Sequence, residues 1–250
     1  MMSEIVVPGE YVSLKPLIVP TPIVINKYTE LVHKQRFISR VYTILWFQIL
    51  FTIVFIGLCN KVVLLQKFML SPIGINLIYL SFILLLFSSC ILVCLHDSVR
   101  SFPYNYIYLI LFTILITYPL GMLGILIDTQ TLLLGGLTTS GVFTGLTIYA
   151  YQTKVNYTIY GNLLIICLFG LMMLGIFIPL VDIPLLNSLY SVGGVTLFSF
   201  YIIYDTQLIT GGSNREIVYT VDDYVIASIN LYLDFVNLFV FLLDVISGRN

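Results

Sequence analysis

Residues 226–244 read IASINLYLDFVNLFVFLLD, long enough and apolar enough to cross a bilayer, yet Asn230, Asp234 and Asn237 stand in the middle and Asp244 near the end. A charged side chain at the bilayer centre costs at least ~2.5–3.5 kcal/mol on insertion scales, so such residues face the protein interior, pair, or line a path for ions or protons. Steps of four and three from Asp223 reach Ala227, Asn230, Asp234, Asn237, Phe241 and Asp244, which fall on one stripe at a helical repeat. The other faces carry Ile226, Ile229, Leu231, Leu233, Phe235, Leu238, Phe239, Leu242 and Leu243. A helix apolar on most sides with one narrow polar seam belongs in the middle of a bundle. On that seam Asn230 and Asn237 either glue neighbouring helices or line a path, and Asp223 and Asp244 read as caps or water contacts. Asp234, near the centre, reads as a functional residue.

The rest of the chain agrees with a membrane setting. Of 250 residues 59% are hydrophobic and 9% charged, against roughly 25% charged in a soluble domain. The net charge is −1 and the eleven Lys and Arg are scattered, which argues against a nucleic-acid partner. Cys59, Cys90, Cys94 and Cys167 lie in or beside apolar runs and read as small hydrophobes, and nothing clusters with His33 or His96 as metal ligands would. No resident cofactor is called for.

A bilayer core about 30 Å thick needs about 20 apolar residues per helix, and seven runs of that kind occur: about 37–59, 70–95, 104–126, 131–151, 158–181, 185–209 and 223–246. The expected fold class is therefore an all-α integral membrane protein of seven transmembrane helices spanning 37–246. A four-residue tail, 247–250, follows. Residues 1–36, with Pro8, Pro16, Pro20 and Pro22, are expected to be an extended, mobile cytoplasmic tail, with the first span as an uncleaved insertion signal. With the N terminus in the cytoplasm, that side collects Lys15, Lys27, Lys34, Arg36, Arg40, Arg100, Lys154 and Arg215, against Lys61, Lys67 and Arg249 opposite. Gly141 and Gly145 form a Gly-x-x-x-Gly in the fourth span, read as packing within the bundle ahead of a dimer contact. Pro119 should kink the third span, as a gate or as tolerated backbone.

A buried carboxylate needs a partner or must be neutral. The sixth span offers one in FSFYIIYDTQLIT, residues 198–210, where Asp205 sits roughly 6 Å inside the helix end. If Asp205 and Asp234 came within 4 Å, two charges would repel by ~4 kcal/mol at an effective dielectric of 20. The pair would then share a proton near neutral pH and titrate as a unit: protonated, it holds two helices together; doubly ionised, it pushes them apart or binds Ca²⁺. Depth is the open question, since Asp234 lies about twelve residues from the 210–222 loop and Asp205 about five. Arg100, after the second span, could hold a carboxylate ionised, although a plain positive-inside arginine is the simpler reading.

The run FYIIYDTQLI at 200–209, followed by DDYVIASINLYLDFVNLFVFLL at 222–243, resembles the C-terminal signature of the transmembrane Bax-inhibitor-motif family, nearest to its Golgi anti-apoptotic branch, which includes poxviral members. Abundant Ile, Tyr and Asn fit an AT-rich viral genome. The resemblance implies six helices around a central seventh, residence in Golgi or endoplasmic reticulum membranes, passive Ca²⁺ release and suppression of cell death. It also implies a pH-sensing gate of Asp205 and Asp234, a latch cation at Arg100, and a pore entrance at Asp222 and Asp223 leading to Asn230 and Asn237. Implied partners are membrane lipid, Ca²⁺, further copies of the chain and apoptosis-regulating membrane proteins. The basic cluster that follows the second span in the family is thinned here to HDSVRS, and the tail DVISGRN lacks a lysine-rich end.

Two other classes fit the residues less well. An intramembrane aspartyl protease also uses two aspartates on adjacent helices, but its second motif is Gly-x-Gly-Asp, where this chain has Leu231, Tyr232 and Leu233 before the acid. A seven-helix receptor would carry an acidic-arginine pair near residues 100–106, which is absent. The chain is read as a channel and not an enzyme, with a partner-binding scaffold as the alternative.

Overall fold

The computed structural model describes residues 22–94, 101–180, 183–211, 219–220 and 222–248. Among them all regular structure is helical: α1 (Pro22–Lys61), α2 (Val63–Met69), α3 (Pro72–Cys94), α4 (Tyr104–Leu126), α5 (Thr129–Gln152), α6 (Gly161–Phe177), α7 (Pro184–Thr210) and α8 (Tyr224–Ser247). Short 3-10 turns, Thr158–Tyr160 and Ile178–Leu180, flank α6. Among the described residues six helices are each long and apolar enough to cross a bilayer, and α2 with α3, bent by 67° at their junction, passes the same test only as a pair, as a broken span or a re-entrant loop. The chain is thus an all-α, multi-pass membrane protein.

The corner between α2 and α3 was not expected from hydropathy, because residues 63–69 fall between the first two apolar runs, beside Lys61 and including Lys67. Pro72 cannot continue the preceding helix, and Ser71 caps the new one by accepting from the Gly74 amide while its hydroxyl donates to the Phe68 carbonyl. A Cβ on Gly74 would lie 2.3 Å from the Phe68 carbonyl oxygen, so the corner closes only around glycine. A second difference lies at the other end. Residues 22–36 are helical and belong to α1, not to an extended tail. Pro22 suits a first helical position, and neither Gly nor Pro follows before the span; charge kept this stretch out of the lipid-length run without breaking the helix. Residues 1–21 lie outside the described residues.

α8 is the axis of the bundle. In its most apolar stretch 61% of the residues are buried, against 6% in the crossing that contains α6. It packs against α1, α4, α5 and α7, while α3 packs mainly on α4 and α6 mainly on α7. Without water to drive helices together, backbones close up where side chains are small. Gly194 of α7 receives the Phe241 ring, Gly135 of α5 receives Leu243, and Gly124 of α4 lies against the Ile56 carbonyl of α1. Gly141 and Gly145 do not take part: open space surrounds both, so the expected packing of this motif within the bundle is overturned. The inward face of α5 is Gly135, Thr139, Phe143 and Ala150 instead. α4 runs unbroken through Pro119.

Candidate functional site: an aspartate cleft between α6 and α8

Asp205 sits five residues before the end of α7 and is 7% exposed; Asp234 sits at the middle of α8 and is 5% exposed. The two carboxyls are within hydrogen-bonding reach of each other. The difference in depth is absorbed because α8 starts farther out than α7 stops, by roughly 7 Å at 1.5 Å per residue. Gly211 makes the turn possible, with φ +59, a conformation that favours glycine. At 4 Å and an effective dielectric of 20 two full charges would repel by ~4 kcal/mol.

The pair faces a cavity of about 630 Å³. α7 and α8 form one wall and α6 the other, through Gly161, Ile165, Leu168 and Leu171, which recur on one face. Asn230 and Asn237 line the same cavity on the Asp234 stripe. Asn230 Nδ2 donates to the Tyr219 hydroxyl at 2.9 Å, and Asn237 Nδ2 donates back to the Leu233 carbonyl at 2.8 Å. Tyr219, from the α7–α8 connection, roofs the cavity with its ring 6.3 Å from that of Phe37. Burial, and then the charge of Asp205, push the Tyr219 phenol far above its ordinary value, so it is a neutral donor and acceptor. One acceptor on the wall is unmatched: Asp234 Oδ2 is buried with no hydrogen-bond partner, as is the Tyr201 hydroxyl.

The two predicted entrance acids behave differently from each other. Asp222 is exposed. Asp223 is buried, and its Oδ2 accepts from the Thr220 amide and hydroxyl, both at 2.7 Å, which fastens the turn that launches α8. Neither lines the cavity. Arg100 lies outside the described residues. Near the start of α8 stands Arg40 of α1, whose guanidinium lies 5.3 Å from the centre of the Tyr224 ring, and Tyr224 in turn bonds the Tyr106 hydroxyl at 3.2 Å. Among the described residues no three His, Cys, Asp or Glu side chains gather as a metal site would require.

The opposite side of α8 carries a polar core that sequence reading missed. Tyr232, fully buried, bonds Thr52 of α1 at 2.7 Å and Thr117 of α4 at 3.2 Å. Thr52 and Thr117 bond each other at 3.0 Å, and one turn away Gln48 donates to Thr113 at 2.9 Å. Tyr201 and Tyr204 were also missed, although their spacing from Asp205, four and one residues, places Tyr201 one turn above the acid. Tyr219 had no periodic signal to reveal it, being in a connection.

Residues 34–250 match the family described as inhibitor of apoptosis-promoting Bax1. The chain is 29% identical to human protein lifeguard 3 over 223 residues, 87% of this chain and 70% of that protein, and 28% identical to its mouse counterpart over 221 residues, with the same coverage. It is 32% identical to Bax inhibitor 1 of Schizosaccharomyces pombe over 149 residues, 58% of this chain and 53% of that protein.

Proposed function

Because this chain belongs to the family of inhibitors of apoptosis-promoting Bax1, we propose that it restrains cell death as a Ca²⁺-permeable, pH-sensitive leak in Golgi or endoplasmic reticulum membranes. The observation that carries the reading is the buried pair Asp205 and Asp234 on the wall of a membrane-embedded cavity. With one shared proton the pair draws α7 and α8 together. When that proton leaves, the repulsion of ~4 kcal/mol between two charges at 4 Å and an effective dielectric of 20 favours separation of the helices or entry of a divalent cation.

Ca²⁺ takes six to eight oxygen ligands, roughly, and a site that conducts must hold it weakly enough to let it go. Two carboxyls with the amide oxygens of Asn230 and Asn237 suit passage better than storage. Asp222, exposed at the start of α8, would gather cations at the mouth; Asp223 would hold the turn in place. The excess of Lys and Arg supports a cytoplasmic N terminus and, with it, a cytoplasmic mouth. Arg100 remains a candidate to pair with the ionised form. A lowered store would blunt Ca²⁺-dependent death signals, and further copies of the chain or other death-regulating membrane proteins would be its partners.

The test is Ca²⁺ release from liposomes holding the purified protein, across pH 5 to 8, with wild type, Asp234→Asn and Asp205→Asn. The expected result is a leak whose pH dependence either substitution abolishes. If wild type releases no more than empty liposomes, the channel reading fails and a scaffold acting through protein partners replaces it.

A further inference from the structure

The aspartate cavity has chemistry that an ion path does not use. Its polar lining, Asp205, Tyr219, Asn230, Asp234 and Asn237, gives way beyond Asn237 to apolar side chains, and along α7 and α8 it is walled by five rings in sequence, Tyr204, Tyr201, Phe198, Phe241 and Tyr190. Neighbouring ring centroids are 6.4, 5.9, 5.8 and 5.3 Å apart, so the wall is continuous. From Asp234 to Phe241 the wall runs about 10 Å at 1.5 Å per residue, the length of an alkyl chain and not of a polar head group. The volume, about 630 Å³, is that of a small-molecule site.

Charge decides what the polar end accepts. A carboxyl pair sharing one proton holds one negative charge, and Asp234 Oδ2, nine-tenths buried, has no donor. The Tyr201 hydroxyl, close enough to feel both carboxyls, also lacks a partner. A primary ammonium has three N–H donors, a single positive charge, and an affinity for the faces of aromatic rings. We propose that the cavity is a binding site for a long-chain primary amine, with the ammonium against the Asp205 and Asp234 carboxyls that border it and the alkyl chain along the rings toward Tyr190. This goes beyond the ion-leak reading and does not rest on it, since binding is read without flux.

The experiment is equilibrium binding of radiolabelled dodecylamine to the full chain in nanodiscs at pH 7, with empty nanodiscs subtracted. Saturable binding of one amine per chain is expected, with dodecanol competing at least about tenfold less well, which corresponds to the loss of one charge-assisted contact. Asp234→Asn should weaken the amine by a similar factor. Leu168→Trp, which pushes an indole into the cavity from the lipid-exposed α6 and leaves both carboxyls in place, should abolish binding even if the aspartate variant folds poorly. Equal competition by dodecanol, or undiminished binding to Leu168→Trp, would overturn the proposal, because the amine would then be held by the bilayer or by apolar surface alone.

Discussion

The two sides of α8 differ in one respect that matters more than their hydrophobicity. Toward α1 and α4, Tyr232 meets Thr52 and Thr117 in a closed triangle of hydroxyls, each within 2.7 to 3.2 Å of the others. Toward α6 and α7, two residues along the same helix, Asp234 meets another acid, leaves one oxygen unmatched and borders a cavity. The Tyr232 triangle is closed, with Gln48 Oε1 left unmatched one turn away; the aspartate side is open to a cavity. Buried polar networks rigidify when every member is matched, and they store the capacity to change when one is not.

That contrast can be broken from the side of α1 and α4 first. Gly124→Val would thrust side-chain atoms into the Ile56 carbonyl, where even a Cβ would come within 2.5 Å, so α1 and α4 would have to part. A loss of ~2–3 kcal/mol is expected, read as a large drop in thermal midpoint in detergent. On the aspartate side the sign should reverse. Asp234→Leu replaces an ill-matched buried acid by an apolar group of similar volume, so stability should hold or rise by ~1–2 kcal/mol while the pH dependence of the leak disappears. A Tm that fell as far as for Gly124→Val would mean that Asp234 is structural.

Smaller effects sharpen the picture. Tyr232→Phe removes one hydroxyl but leaves Thr52 and Thr117 bonded to each other, so a cost of ~1 kcal/mol or less is expected, with leak and pH profile unchanged. The smallest effect concerns Asp128, outside the spans, whose carboxylate accepts from the Thr131 amide and is held by it below the usual carboxylate range. A group whose folded value is depressed contributes stability above its unfolded value and loses it as pH falls through the folded one. Asp128→Ala should therefore lower Tm slightly at neutral pH, with the gap to wild type closing only under acid conditions below about pH 4.

Much of this was legible in the chain itself. The polar stripe on residues 223–244 placed α8 at the axis, because a lone seam of Asn and Asp on an apolar helix has nowhere else to go, and the length of the apolar runs located the six straight candidate crossings and the longer arm of the bent pair. The meeting of Asp205 with Asp234 was an open question, since residue counting cannot say how far one helix end projects beyond its neighbour. The corner at Gly74 and the outward aim of Gly141 and Gly145 were hidden for a related reason: composition records that a glycine is present, not which backbone it must admit. The triangle around Tyr232 escaped because Thr52, Thr117 and Tyr232 are separated by 65 and 115 residues and none is conspicuous in its own helix.

The slender attachment of α6 has a mechanical meaning. A helix that rests mainly on α7, with 6% of the most apolar stretch of its crossing buried, covers the aspartates with few protein contacts and presents most of its surface outward. The wall of the aspartate cavity is thus the part of the bundle most exposed to the thickness and tension of whatever bilayer surrounds it.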